Sequence, residues 1–131
     1  ARWALDQAVE YAKVRKTSGV PIAEHQAVQF MLAESAIDIY AAKSMIQNCA
    51  WRIDSGQSVT AQVSMVKAFS TEMLGRVMDR SIQVHGGMGL TNELRIEKGY
   101  RFARVMRIPD GTAEIQRRTI ARQLLSGRGD L

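Results

Sequence analysis

Gln83-Val-His-Gly-Gly-Met-Gly-Leu-Thr-Asn92 interrupts a sequence that otherwise reads as helix on both sides. Upstream of it, Val63, Val66, Phe69, Met73, Val77 and Val84 recur at helical steps. A long helix therefore runs into Gly86-Gly87 and stops there. A second break, Ile108-Pro-Asp-Gly-Thr-Ala-Glu-Ile-Gln-Arg117, follows about twenty residues later. Each break places glycines, a hydroxyl and polar side chains where a helix ends or begins. Backbone N–H groups are free at such places and no Cβ blocks approach, which suits phosphate binding.

Working outward, the remaining chain divides into helices. Residues 2–16 carry Trp3, Leu5, Ala8, Val9, Ala12 and Val14 near a helical period, and Thr17-Ser-Gly-Val-Pro21 stops them. A long helix is expected from Glu24 to Ile53, with Val28, Met31, Leu32, Ser35, Ile39, Ala42, Met45, Ile46, Cys49 and Ile53 on one face. Gly56 suits the left-handed position after it. Ser58 or Thr60 is a candidate cap for the third helix. A shorter helix is expected from Asn92 to Arg101 or slightly beyond, and Arg104–Ile108 reads as extended or turn-like before Pro109. The last helix starts near Asp110–Thr112 and runs to Leu125, with Gly127 and Gly129 in a frayed tail. The pattern predicts an all-α fold, an antiparallel up-down bundle of four to five helices, as one helical domain over 1–131. Small residues such as Ala33, Ala36, Ala41 and Ala42 favour close helix approach and self-association.

Composition narrows the class. The chain is 46% hydrophobic but only 6% aromatic, with two prolines and seven methionines, which favours helix-on-helix packing. Cys49 is the sole cysteine, so no intrachain disulfide can form. This fits a reducing compartment, cytoplasmic or the mitochondrial matrix of a eukaryote. No apolar run reaches membrane-spanning length, and no signal peptide is visible. The opening residues already read as helix interior, so the chain is expected to start inside a longer protein. The net charge is +5, and eight of thirteen arginines fall between Arg95 and Arg128. Glu93, Glu97, Asp110 and Glu114 are interleaved with them, and no aromatic platform accompanies them. Solvated faces and ion pairs are thus preferred to a nucleic-acid surface.

Each candidate site has a plain structural reading beside it. Gly86-Gly-Met-Gly89 lacks the preceding strand and the spacing of a dinucleotide fingerprint. His85-Gly-Gly has no G-x-S-x-G elbow to serve. His25, His85 and Cys49 offer no metal spacing. Asp110 can cap the last helix, and Arg15 can answer a helix dipole. Arg15 with Thr17 and a glycine can equally cradle a pyrophosphate.

Taken together, Tyr11-Ala-Lys-Val-Arg-Lys-Thr-Ser-Gly-Val-Pro-Ile-Ala-Glu-His-Gln26, Gln83-Val-His-Gly-Gly-Met-Gly89 and Asp110-Gly-Thr112 with Ile115-Gln-Arg117 closely resemble the acyl-CoA dehydrogenase family, in its C-terminal helical domain. The resemblance implies an FAD-dependent enzyme, dimeric or tetrameric, that acts on acyl-CoA thioesters and passes electrons to an electron-transfer flavoprotein. It implies that Arg15 and Thr17 meet FAD phosphates and that Gln26 lies near the adenine end. Gln83, Gly86 and Gly87 would contact the same dinucleotide, commonly from the neighbouring subunit. Thr112 would bond near the pyrophosphate or flavin, and Asp110 would be the catalytic base. Its backbone N–H would help hold the thioester oxygen.

Two positions depart from the family pattern. Most members carry Glu where this chain has Asp110, and Phe where it has Ser18. An aspartate base is also the choice of nitroalkane oxidases, which look like relatives, and other relatives place the base on the helix before Ala1. The readings left open are an acyl-CoA dehydrogenase, a nitroalkane-oxidase-like flavoenzyme and a non-catalytic helical assembly module.

Overall fold

The computed structural model describes residues 1–128 and is all-α apart from one minimal hairpin. Helices α1 (Arg2–Val14), α2 (Gln26–Asp54), α3 (Thr60–His85), α4 (Ile96–Val105) and α5 (Ala113–Leu125) form the bundle. Short 3-10 turns, Ile22–Glu24 and Gly86–Leu90, precede α2 and follow α3. Helix α3 is the hub and packs against all four other helices. Its 26 residues span roughly 39 Å at 1.5 Å per residue.

Small side chains set the approach of α1. Ala4, Ala8 and Ala12 lie one turn apart and are its buried residues. Ala4 joins Ala42, Met73, Val77, Met78 and Ala103 in one core cluster. Ala8 and Ala12 join Ile22 and Val84 in a second, which sits beneath the end of α3. Ser81 bridges α3 and α1 by donating to the Ala4 carbonyl at 3.0 Å, so its buried hydroxyl is satisfied. Helices α2 and α3 are further joined by ion pairs. Asp38 receives Arg76 Nε at 3.1 Å, Arg76 Nη2 at 2.8 Å and Arg80 Nη1 at 2.8 Å.

Several sequence expectations need correction. Trp3 and Val14 on α1, Ile46 and Ile53 on α2, and Val63 on α3 are exposed, although each fits its apolar stripe. Neither Ser58 nor Thr60 caps α3; its N-cap is Val59, with no side-chain bond. The fourth helix begins at Ile96 and not near Asn92, because residues 91–95 form a turn. It then runs through Arg104 to Val105, where an extended or turn-like segment was expected. Thr17–Val20, read as a plain stop, is the tip of a two-residue-strand hairpin. Strands β1 (Lys16–Thr17) and β2 (Val20–Pro21) pair antiparallel there. Ser18 and Gly19 both take positive φ, +54° and +87°, which matches the twist of a tight hairpin turn. Gly129 lies outside the described residues, whereas Gly127 follows α5 at φ +70°.

Candidate functional site

A cavity of about 660 Å³ opens where the hairpin, the start of α2 and the end of α3 meet. It brings together Arg15, Thr17, Gln83, Gly86 and Gly87, five of the residues singled out from sequence. Tyr11, His25, Met31, His85 and Met88 also line it. Gln26 does not line it but opens α2 immediately after His25.

Each wall has a local cause. Helix α1 ends at Arg15, whose extended backbone turns into β1. The Arg15 carbonyl accepts from Ile22 N–H at 2.8 Å, which closes the hairpin base. The Arg15 guanidinium is exposed and makes no ion pair among the described residues. Thr17 Oγ1 lies 2.9 Å from His25 Nε2. With His25 as the N–H donor, the Thr17 hydroxyl proton stays free for a phosphate oxygen. On the opposite wall α3 stops because Gly86 adopts φ +59°, ψ −140°, a conformation that side chains resist. The following turn folds back so tightly that Gly89 packs on α3. A Cβ there would stand 2.9 Å from Ile82 Cα and O. A Cβ at Gly87 would meet nothing within 4 Å.

Asp110 and Thr112 are elsewhere. Thr112 lines a separate cavity of about 200 Å³ with Glu72, Arg104, Arg107, Ile108, Ala113 and Glu114. The Asp110 turn is tethered to α3 by Lys67, whose Nζ donates to the Pro109 carbonyl at 2.7 Å. Lys67 and Gln83 are sixteen positions apart on α3, roughly 24 Å along the axis. One chain therefore holds the two predicted sets at separate places.

The bland reading of Asp110 as the α5 cap is overturned. Thr112 is the N-cap and accepts from Ile115 N–H at 3.4 Å. Asp110 instead sits at φ +56°, beside Gly111 at +90°. Short polar residues tolerate that left-handed region, but a non-glycine residue held there is strained. The strain is sustained by Gln116, whose Nε2 donates to the Asp110 carbonyl at 3.0 Å and to the Gly111 carbonyl at 3.2 Å. The Asp110 carboxylate and backbone N–H make no hydrogen bond within the described residues, so both remain available. At Glu114 the backbone N–H of the same residue, then the Thr112 hydroxyl, hold the carboxyl below its usual range. The one hydrogen bond of the Thr112 hydroxyl within the described residues is the cap to Ile115 N–H.

The sequence did not single out Lys67, nor did it mark Tyr11 and Met31 as cavity residues. Their roles come from tertiary placement, and only Gln116 of the tethering residues sat inside a noticed motif. Among the described residues no group of His, Cys, Asp or Glu is placed to hold a metal ion, and no helix is long and apolar enough to cross a membrane.

Comparison with known proteins identifies the family and the fold. The family description "Acyl-CoA dehydrogenase, C-terminal domain" matches residues 1–125. The chain is 44% identical over 125 residues to a probable acyl-CoA dehydrogenase, YngJ, of Bacillus subtilis, covering 95% of this chain and 33% of that protein. It is 38% identical over 125 residues to subunit CarC of the caffeyl-CoA reductase–Etf complex of Acetobacterium woodii, with the same two coverages. The solved FAD complex of PigA superposes with a TM-score of 0.90 at 28% identity, covering 97% of this chain and 33% of that one. The chain spans about a third of the length of the curated relatives it matches.

Proposed function

Because the chain belongs to the acyl-CoA dehydrogenase family, as its C-terminal domain, we propose that it is the C-terminal domain of a longer FAD-dependent enzyme that oxidises an acyl-CoA thioester. The observation that carries this reading is the convergence of Arg15, Thr17, Gln83, Gly86 and Gly87 on one cavity. The residues fit a flavin dinucleotide. An unpaired guanidinium and a hydroxyl suit its phosphates, and a glycine wall admits its backbone-close approach. The FAD complex of PigA shares the fold and supports the same cofactor.

The flavin, when bound, supplies a hydride acceptor. The chain's own residues do the rest. Asp110 Oδ takes the proton α to the thioester carbonyl, and its backbone N–H donates to the thioester oxygen where charge develops. The turn held by Lys67 and Gln116 keeps that carboxylate in place. Since the two sets lie roughly 24 Å apart along α3, the reading assigns them to one flavin from different subunits of a dimer or tetramer. In this reading Gln26 lies near the adenine end of the dinucleotide and Thr112 near its pyrophosphate or flavin. The CarC relative belongs to a complex with an electron-transfer flavoprotein, and a partner of that kind is proposed here as electron acceptor. A lone cysteine and the absence of a spanning helix among the described residues accord with a reducing, aqueous compartment.

A second reading rests on Asp110 itself. Aspartate is one methylene shorter than the family's usual glutamate, and a displacement of about an ångström can cost on the order of a hundredfold in rate. A nitroalkane, also a carbon acid, is the alternative substrate. Full-length protein should oxidise acyl-CoAs with an artificial electron acceptor. Asp110→Asn should lower that turnover by about 10²–10⁴-fold while the flavin spectrum persists. Turnover of nitroalkanes only, with peroxide formed, would shift the reading to the oxidase. Unchanged turnover in Asp110→Asn would leave the chain as an assembly module with no part in the chemistry.

A further inference from the structure

We infer that His85 is a further ligand-binding residue of the large cavity: its Nε2 accepts a hydrogen bond from a hydroxyl or amino group of the bound dinucleotide. This deepens the flavin reading and rests on it. His85 ends α3 and is 5% exposed. Its Nδ1 lies 2.7 Å from the Ser81 carbonyl. A carbonyl only accepts, so Nδ1 carries the proton, and in a neutral ring Nε2 is left as an acceptor. The ring is fixed on its other side by Tyr11, with centroids 4.5 Å apart and planes inclined at 32°. Nε2 has no partner among the described residues, yet the residue forms part of the cavity wall.

Nε2 is open to the cavity, where water or a donor group of a ligand can serve as its partner. The chemistry selects which part of the ligand supplies it. Phosphate oxygens accept, and an accepting nitrogen does not bond them. The ribityl and ribose hydroxyls and the adenine amino group donate. Arg15 and Thr17, on the facing wall, are the residues suited to the phosphates. The cavity therefore divides into a donor-bearing side for phosphate and an accepting nitrogen for the sugar or base.

The test uses full-length protein, with FAD affinity read from flavin fluorescence and inorganic pyrophosphate as a competitor. His85→Phe, which keeps the ring stack, should weaken FAD by about five- to tenfold, the loss of one hydrogen bond. It should leave the pyrophosphate inhibition constant unchanged. His85→Gln, whose amide oxygen can accept, should retain FAD affinity within about twofold. Arg15→Ala should weaken FAD and pyrophosphate alike. If His85→Phe weakens pyrophosphate as much as FAD, His85 donates to phosphate and the inference fails. If His85→Phe leaves FAD affinity intact, His85 is a packing residue and only this inference fails. Full-length wild type that binds no FAD would overturn both this inference and the flavin reading beneath it.

Discussion

At the residue scale, neighbouring glycines of one motif have different jobs. Gly86 holds a backbone conformation that a side chain resists, so its role is to end α3. Gly87 has ordinary backbone angles and open space where a Cβ would stand. A methyl group there disturbs nothing in the chain but projects from the cavity wall. Gly86→Ala should therefore lower stability by about 1–3 kcal/mol, measured by urea denaturation. Gly87→Ala should fold with an unchanged midpoint and bind FAD more weakly in the full-length protein. Equal loss of stability in both variants would mean that the second glycine is also a structural turn residue. Asp110 shows the same distinction from the other side. Its type and its place before Gly-Thr suggested a helix cap, and the cap is Thr112 two residues later. An aspartate at φ +56° with a free carboxylate is costly to maintain unless something uses it.

At the element scale, the pairing of α2 with α3 depends on a polar lock beside an apolar seam. Asp38 accepts three hydrogen bonds from Arg76 and Arg80, and Glu34 adds a 3.0 Å pair to Arg80. The hydrogen bond from Arg76 is the main reason that the Asp38 carboxyl sits below its usual range; burial opposes it, and Arg80 adds to it. A carboxyl depressed in the folded state stabilises the fold above the unfolded value, about 3.9. That contribution is lost as pH falls through the depressed folded value. Asp38→Asn should cost about 1–3 kcal/mol at neutral pH. The gap from wild type should close as pH falls below the ordinary carboxylate range. A gap that persists in acid would show that shape, and not charge, sets the contribution of Asp38. This lock also marks what the sequence could and could not convey. Helix number and the long α2 and α3 were legible because Gly56, Gly86 and Gly127 punctuate steady 3.6-residue patterns. The buried face of α1 was only half legible. Periodicity favours large apolar residues, whereas close packing on α3 selects Ala4, Ala8 and Ala12 and leaves Trp3 exposed. The start of α4 was misplaced because residues 91–95 carry no glycine or proline to signal their turn. The cavity residues could be named from motifs, but their separation from Asp110 depends on the Pro109 turn docking on α3 at Lys67. No local pattern records that.

At the scale of the whole molecule, that separation has a consequence for assembly. Helix α2 exposes Phe30, Ile37, Tyr40 and Trp51, with Ile37 67% and Tyr40 76% accessible. Phe30, Ile37 and Trp51 fall at multiples of seven, the spacing that aligns one seam along a helix for a second helix. Neither the cavity nor the Asp110 turn contains any of these four residues. If cavity and base serve one flavin from different subunits, breaking the seam removes the site without touching it. The double variant Ile37→Lys with Trp51→Lys, in full-length protein, should lower the mass seen by light scattering and release FAD in parallel. Both effects should reverse together as protein concentration rises, because a shared site binds only as often as the subunits meet. Adding FAD should in turn favour assembly by the same linkage. A smaller species that keeps its flavin with undiminished affinity would show that one chain completes the site alone. The roughly 24 Å along α3 would then have to be bridged by segments outside residues 1–131, with no second copy involved.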